Sequence, residues 1–230
     1  MSGRPDISVV VPVFNSERHL SDCIVSLVEQ DFDGEVEIIL VDNGSTDGSA
    51  EIAARYPDLV VLEESTPGAY AARNTGIRRA RAPVIAFTDA DCEIEGRWLQ
   101  SILDGLVDPK VAIVIGQCRY PREASLALKM LSAYENAKAE YVINRCPPAH
   151  HFGYTNNMAV RAELFSEIGL FEQWDRAADS EFIHRMATSR PDLRTVFLRS
   201  MRITHLEFLR ARDRLRRLAL YTDTNAKIAT

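Results

Sequence analysis

The stretch ISVVVPVF, residues 7–14, is rich in β-branched residues and almost wholly apolar. This pattern is typical of a strand buried on both faces, as in a parallel sheet. Residues 16–30 follow with apolar side chains at helical spacing, and residues 36–41 form a second apolar run. The order strand, helix, strand predicts a crossover unit with parallel strands.

The same alternation continues along the chain and predicts an α/β fold. Further strands are expected at 59–62, 84–88, 111–116 and 195–198, and helices at 49–56, 69–80, 98–107, 123–140, 161–168 and 180–188. The sequence contains no repeat and no linker. We therefore expect a single domain with a Rossmann-like, mostly parallel sheet flanked by helices.

Composition narrows the class of protein. The chain has 230 residues, of which 46% are hydrophobic and 26% charged, with a net charge of −6. These values are typical of a soluble globular protein and give no reason to expect nucleic-acid binding. The N-terminus lacks a signal-peptide layout, and no apolar run approaches the roughly 18 residues that cross a bilayer. We expect a cytoplasmic protein, with peripheral attachment to a membrane left open.

The cysteines give no indication of a metal or redox motif. They are widely spaced and form no CxxC pair; they are Cys23, Cys92, Cys118 and Cys146. Such spacing favours reduced thiols without a shared site.

Acidic residues follow two of the predicted strands. Asp89-Ala90-Asp91 comes directly after the strand 84–88, and Asp42 begins a polar loop after the strand 36–41. The carboxyl ends of parallel strands meet at one edge of a sheet, where ligands bind. Asp89 and Asp91 project to the same side of extended backbone, and such oxygen ligands suit Mg²⁺ or Mn²⁺. The alternatives are a solvated acidic pair and, for the loop, a polar turn with a helix cap.

Four segments occur in a specific order: VVPVFN at 10–15, VDNGSTD at 41–47, GAYAARNTGI at 68–77 and FTDAD at 87–91. Together they resemble the family 2 glycosyltransferases of the GT-A fold. Downstream, NNMAVR at 156–161, IGLFE at 168–172 and ADSEFIHR at 178–185 resemble the acceptor-side segments of that family. The resemblance covers about residues 7–205 by the order of its motifs.

The resemblance implies a GT-A glycosyltransferase domain at 1–205, with a nucleotide-binding half at 7–115 and an acceptor half at 116–205. It implies an inverting transferase of the hexosyltransferase type. The enzyme would move a sugar from a nucleoside-diphosphate sugar, typically a UDP-sugar, to an acceptor hydroxyl in glycan, polysaccharide or glycolipid synthesis. The Q-x-x-R-W segment of the processive members is absent, so we expect one sugar to be transferred per encounter.

The resemblance also implies roles for individual residues. Asp91 and His205 would ligate a divalent metal, Mn²⁺ or Mg²⁺, and imidazole suits Mn²⁺ better. Asp179 would be the general base. The residues implied to bind the nucleotide are Pro12, Phe14, Asp42, Arg73, Asn74, Asp89 and Ala90, with Asp42 placed against the base and Asp89 against the ribose or the metal's water shell.

One position departs from the family pattern. Ala178 stands where the family commonly has a glutamate, which leaves the identity of the acceptor open. Glu181 is a competing base, and capping of a helix that starts at Ser180 is an alternative role for Asp179. His150 and His151 could contact the donor or the acceptor, or face water.

The segment 206–230 is predicted to be a basic amphipathic helix or tail. Residues 206–221 hold five arginines interspersed with leucines. This segment could contact an anionic membrane surface, which would suit a lipid-linked rather than a free saccharide acceptor, or it could pack on the domain with a solvated basic face.

Two other functions compete with glycosyl transfer. A sugar-nucleotide-forming nucleotidyltransferase would carry a glycine-rich loop after the first strand, where this chain has VPVFNS at 11–16. A non-catalytic nucleotide-sugar-binding module is the second alternative, and Ala178 leaves room for it.

Overall fold

β1 (Ile7–Val13) lies inside an eight-stranded sheet with a neighbouring strand on each side. This computed structural model describes residues 3–174 and 176–216. The other strands in this part of the chain are β2 (Val36–Asp42), β3 (Val60–Glu63), β4 (Val84–Thr88), β5 (Cys92–Ile94), β6 (Val111–Arg119), β7 (Asn157–Arg161) and β8 (Arg194–His205). The helices are α1 (Leu20–Val28), α2 (Ser49–Ala53), α3 (Ala69–Arg79), α4 (Trp98–Gly105), α5 (Leu126–Arg145), α6 (Ala162–Ile168) and α7 (Ala178–Ser189), with a 3-10 turn at Pro148–His150.

The strand order is β3-β2-β1-β4-β7-β6-β8-β5. The first four strands are parallel to one another, as the sequence predicts. β7 runs antiparallel to both β4 and β6, β8 is parallel to β6, and β5 is antiparallel to β8. The expected α/β fold in one domain is thus confirmed, with a mixed sheet in its second half.

The second half also contains elements that the sequence patterns did not predict. β5 has three residues, too few for a periodic pattern, and β7 occupies a motif to which no element was assigned. β8 extends from residue 194 to 205, whereas only 195–198 was predicted. Arg199 and Arg202 interrupt the apolar pattern of β8. Arg199 is exposed and Arg202 is half-buried, so polar side chains are tolerated in this part of the strand.

The core consists of apolar clusters on the two faces of the sheet. Val9 packs in the cluster formed with α1 and α4, whereas Val10 packs in the cluster formed with α3, α6 and α7. Neighbouring residues of β1 therefore face opposite clusters, and both are fully buried. Burial on both faces explains why residues 7–14 show no polar alternation.

Residues 206–216 continue from β8 and pack beside α5. Phe208 and Ala211 contact the cluster that contains Leu128, and residues 211–216 are helical. Residues 217–230, including the rest of the segment for which membrane contact and packing on the domain were both considered, lie outside the described residues. Over the described ranges, no helix is both long and apolar enough to span a bilayer.

A hydrogen-bonded junction joins three strands and a helix in the second half. The Trp98 indole N–H donates to Asn157 Oδ1 at 2.7 Å, and Asn157 Nδ2 donates to the carbonyls of Gln117 at 2.8 Å and Met201 at 3.1 Å. The register between β6 and β8 shifts at the same place, between Gly116 and Gln117. A Cβ at Gly116 would lie 2.1 Å from the Met201 carbonyl oxygen.

We predict that Gly116→Ala lowers the free energy of unfolding by about 3 kcal/mol. The added methyl group would clash with the Met201 carbonyl oxygen, which is part of the backbone and cannot rotate away as a side chain could. Urea denaturation measures the change. The matched control is Gly96→Ala, where a Cβ would meet nothing within 4 Å. A loss at Gly116 no larger than at Gly96 would contradict the close approach of β6 and β8.

Candidate active site

The loops that follow β1 and β2 are bonded to each other at one edge of the sheet. Val13 pairs in register with Asp42, and the Asn43 N–H donates to the Val13 carbonyl at 2.8 Å. Asn15, which has a left-handed backbone with φ 48°, accepts from the Thr46 N–H at 2.8 Å. β4 is parallel to β1 and ends at the same edge. The acidic residues after β2 and β4 therefore lie at the same edge of the sheet, as the strand order predicts.

The residues implied to surround the nucleotide base lie on two adjacent strands. Asp42 is half-buried, and its Oδ1 accepts hydrogen bonds from the Ser45 hydroxyl at 2.5 Å and the Ser45 N–H at 3.2 Å. Pro12 is also half-buried, whereas Phe14 is 62% exposed. These contacts fix the orientation of the Asp42 carboxylate, and Phe14 follows Val13, which pairs with Asp42 in the sheet register. A carboxylate and an exposed aromatic ring can each contact a planar base.

A buried arginine connects α3 with the end of β4. Arg73 is only 4% exposed, its guanidinium lies 2.5 Å from Asp89 Oδ1, and it sits 5.2 Å from the centre of the Tyr70 ring. Its charge also acts on Asp179, where it lowers the pKa of that carboxyl against the opposing effect of burial. Arg73 thus supplies positive charge to two carboxylates from different halves of the chain.

Two of the residues implied to bind nucleotide have their side chains directed elsewhere. Asn74 is buried, and its amide exchanges two hydrogen bonds with the backbone of Phe171, at 2.8 and 3.1 Å. It therefore ties α3 to the segment before α7. The Ala90 side chain is buried in an apolar cluster, so only its backbone could face a ligand.

The predicted metal ligands Asp91 and His205 lie together. β5 pairs with the end of β8 so that Cys92 opposes His205, and the Leu206 N–H donates to the Asp91 carbonyl at 2.8 Å. This places His205 Nε2 3.6 Å from Asp91 Oδ2. Cys92 Sγ lies 3.7 Å from Asp91 Oδ1, and one ligand atom from each of the three residues lies within 4.8 Å of the others. The carboxylate and the imidazole together form a donor set that fits Mn²⁺.

Cys92 is a neighbour of this site that sequence reasoning missed, because no other cysteine is near it in sequence. Burial, reinforced by the charges of Asp91 and Asp89, raises the pKa of its thiol well above the ordinary range. Mn²⁺ prefers carboxylate and imidazole donors, whereas a thiolate suits softer metals. Asp91 and His205 are therefore the stronger pair of ligands for Mn²⁺.

Asp179 lies in the first turn of α7 and is buried. Its Oδ2 accepts from the Thr155 N–H at 3.1 Å, and its Oδ1 accepts from the Ser180 N–H at 2.8 Å. Burial raises the pKa of this carboxyl, while the hydrogen bonds from Thr155, Ser180 and Tyr70 and the charge of Arg73 oppose the rise. The helix begins at Ala178, with Ala177 at its N-cap position. Asp179 is therefore not the cap of a helix starting at Ser180.

Glu181, the competing base, and the two histidines that could contact the donor or the acceptor differ in their surroundings. Glu181 is bonded to Arg185 at 3.2 Å, one helical turn further along α7. His151 is buried with a ring nitrogen 3.0 Å from the Cys146 carbonyl oxygen, whereas His150 is exposed. Ala178 is wholly buried in the apolar cluster beneath α7.

Tyr70 and Thr155 are two further polar residues of the site that sequence reasoning did not single out. Both hydrogen-bond to Asp179. Tyr70 is one helical turn before Arg73, within a segment already quoted for the resemblance. Thr155 lies directly before the segment NNMAVR at 156–161. The motifs therefore include or adjoin both residues, but they do not indicate the hydrogen bonds to Asp179.

Comparison with known proteins identifies relatives of this chain. The sequence profile of Glycosyl transferase family 2 matches residues 8–169. Glycosyltransferase AglE of Haloferax volcanii is 30% identical over 175 residues, which are 73% of this chain and 56% of AglE. The chain thus spans little more than half the length of this curated relative.

Solved structures show the same fold at lower identity. An S. aureus TarS fragment in complex with UDP-GlcNAc has a TM-score of 0.65 at 18% identity, over 88% of this chain and 59% of that one. The mannosyltransferase PcManGT from Pyrobaculum calidifontis, in complex with GDP-Man and Mn²⁺, has a TM-score of 0.67 at 23% identity, over 88% and 57%. With its GT-A-like architecture and a family match over most of its length, the chain belongs to glycosyl transferase family 2.

Proposed function

We propose that the protein is an inverting, metal-dependent glycosyltransferase that moves one sugar per encounter from a nucleoside-diphosphate sugar to an acceptor hydroxyl. The observations that carry the proposal are the pairing of Asp91 with His205 and the bond of Arg73 to Asp89, two residues before Asp91. The charge of Arg73 also acts on the buried carboxyl of Asp179. Family membership supports the reaction class. Glycan or polysaccharide synthesis, with a saccharide or lipid-linked acceptor, is the setting that we infer.

The donor half of the site fits a nucleotide. Asp42 can accept hydrogen bonds from a base, Phe14 offers an exposed ring, and Pro12 lines the same edge. TarS binds UDP-GlcNAc and PcManGT binds GDP-Man, so structural neighbours accept more than one nucleotide. We propose a UDP-sugar for this chain, because Asp42 occupies the position that the resemblance assigns to uracil recognition.

Asp91 and His205 would hold the metal, and Mn²⁺ is favoured over Mg²⁺ because one donor is an imidazole. When bound, a divalent cation neutralises negative charge on a diphosphate leaving group. Asp89 stands two residues before Asp91 and is bonded to Arg73. We propose that Asp89 contacts the ribose or water bound to the metal.

Asp179 would act as the general base. Its carboxylate would take the proton from the acceptor hydroxyl as the hydroxyl oxygen attacks the anomeric carbon and the bond to the diphosphate breaks. The Thr155 and Ser180 N–H groups hold the carboxylate in one orientation. Attack from the face opposite the leaving group inverts the anomeric configuration.

We predict that Asp179→Asn lowers kcat by roughly 10²–10⁴-fold while donor binding is retained, because the amide keeps the shape of the side chain but cannot accept the proton. Radiolabelled sugar transfer and calorimetric donor binding measure the two quantities. Asp104→Asn, on the exposed surface of α4, is the matched control. Loss of donor binding would assign Asp179 a structural role, and unchanged transfer would rule out Asp179 as the base. Absence of transfer by the unaltered chain, with donor binding retained, would favour a binding module without catalysis.

We predict that the acid limb of the kcat/KM profile lies above pH 4, near which an ordinary aspartate titrates. Burial raises the pKa of Asp179, and only the deprotonated carboxylate can accept a proton, so activity should fall as pH drops through the raised value. Donor affinity measured over the same pH range separates this effect from titration of the donor site. An acid limb at or below pH 4 would contradict Asp179 as the base.

We predict that Asp91→Ala abolishes the stabilisation by Mn²⁺ together with UDP-GlcNAc or GDP-mannose in thermal unfolding, because ligand binding to the native state raises its stability. His205→Gln should weaken the response to Mn²⁺ more than the response to Mg²⁺, because it removes the softer ligand. His19→Gln, at the start of α1, is the control. An undiminished Mn²⁺ response in Asp91→Ala would place the metal elsewhere.

A further inference from the structure

The outward face of α5 is apolar. Its large exposed side chains are Leu126 (73% exposed), Met130 (65%), Tyr134 (65%) and Tyr141 (65%). Spacings of four, four and seven residues place them on one side of the helix. Ala133 and Ala137 are exposed between them. A contiguous apolar stripe of this kind on a protein surface marks an interaction site more often than a single exposed residue does.

The inward face of α5 is comparatively polar. Ser132 and Asn136 both donate to the Cys118 carbonyl at 2.8 Å, and the Cys118 N–H donates to Asn136 Oδ1 at 3.1 Å. The contact between α5 and β6 therefore includes hydrogen bonds as well as apolar packing. Leu128, Ala139 and Ile143 are buried on this side as well, so α5 carries apolar side chains on both its inward and its outward face.

The exposed charges of α5 are positive. Lys129, Lys138 and Arg145 are exposed beside the apolar stripe. The two acids of the helix are only half-exposed and are bonded to arginines: Glu135 to Arg214 at 3.3 Å, and Glu140 to Arg199 at 2.7 Å. This side of the molecule thus presents cations to its surroundings, although the whole chain has a net charge of −6.

The segment 209–216 extends this surface. The Ser125 N–H donates to the Leu209 carbonyl at 2.9 Å, and the Arg214–Glu135 bond fixes the segment along α5. Leu209 and Leu215 are 44% and 51% exposed. Arg210, Arg212 and Arg216 are exposed among them. The segment repeats the composition of the outward face of α5, which is apolar and basic.

We propose that α5 and residues 209–216 form a surface that docks on an anionic membrane. Leucine, methionine and tyrosine side chains would enter the interface between headgroups and acyl chains, and the lysine and arginine stems would carry their charges to the phosphates. The positive charge around the apolar stripe favours anionic lipid over an apolar protein partner. The proposal goes beyond the proposed function and does not require it.

The proposed docking surface lies next to the candidate metal centre. The ring of Phe208 lies 4.9 Å from that of His205, and Tyr120 contacts both. Phe208 also packs with Leu128 of α5. The docked surface would therefore adjoin the candidate metal centre, where an acceptor carried on a lipid could reach the site.

The test is flotation of the full chain with vesicles of phosphatidylcholine, with and without phosphatidylglycerol. We expect binding to the anionic vesicles that weakens with added salt. Lys129→Gln combined with Lys138→Gln should weaken binding roughly tenfold or more, since each lysine near the surface contributes to the attraction. Met130→Glu combined with Tyr134→Glu should abolish flotation, because both side chains lie within the apolar stripe.

Matched controls carry the same changes away from α5. Val107→Glu with Val28→Glu replaces exposed apolar residues elsewhere, and Lys110→Gln removes an exposed lysine outside the surface. These variants should float like the unaltered chain, and thermal unfolding should show that all variants are folded. The proposal is overturned if the unaltered chain binds neither vesicle, or if the α5 variants float as well as the controls. It is also overturned if light scattering shows a dimer that Met130→Glu with Tyr134→Glu converts to monomer, because the stripe would then join two copies.

Discussion

The guanidinium group of Arg73 lies buried among the carboxylates of the site, and their arrangement depends on its charge. It bonds to Asp89 at 2.5 Å. Burial raises the pKa of Asp179, and the charge of Arg73 opposes part of that rise. A buried cation costs several kcal/mol to desolvate unless it is paired, and acids gathered at one edge of a sheet repel one another. Each charge thus compensates for the other. The two halves of the chain meet at this point, because Arg73 and Asp89 belong to the first half and Asp179 to the second.

β8 connects the interior of the fold with the site. It runs beside β6, shifts register at Gly116, and then pairs with β5 so that His205 arrives beside Asp91. Phe208, just beyond the strand, packs on His205 and on the cluster under α5. One packed unit therefore contains the candidate metal ligands, the second half of the sheet and the basic apolar surface.

Sequence reasoning was most accurate where the information is local. The strands of the first half and their parallel order follow from apolar runs and helical spacing. Ordered motifs indicated Asp42, Asp91 and Asp179 as site residues, and their roles stay predictions. Local patterns did not reveal β5, β7 or the length of β8, because these strands depend on partners far along the chain. Asn74 is a further example. Its motif indicated that the residue matters, but not that its side chain bonds to the backbone of Phe171.

The sequence by itself determined the α/β architecture, the family and the sheet edge that holds the acidic residues. These conclusions depend on periodicity, turn residues and motif order, which are all local properties of the amino-acid sequence. Only the tertiary structure decided that His205 lies beside Asp91, that Tyr70 and Thr155 hold Asp179, and that α5 also exposes apolar side chains on its outward face. The physical reason is that these features arise from pairing between distant segments. Whether a side chain is buried, bonded or exposed depends on which neighbour the fold brings against it.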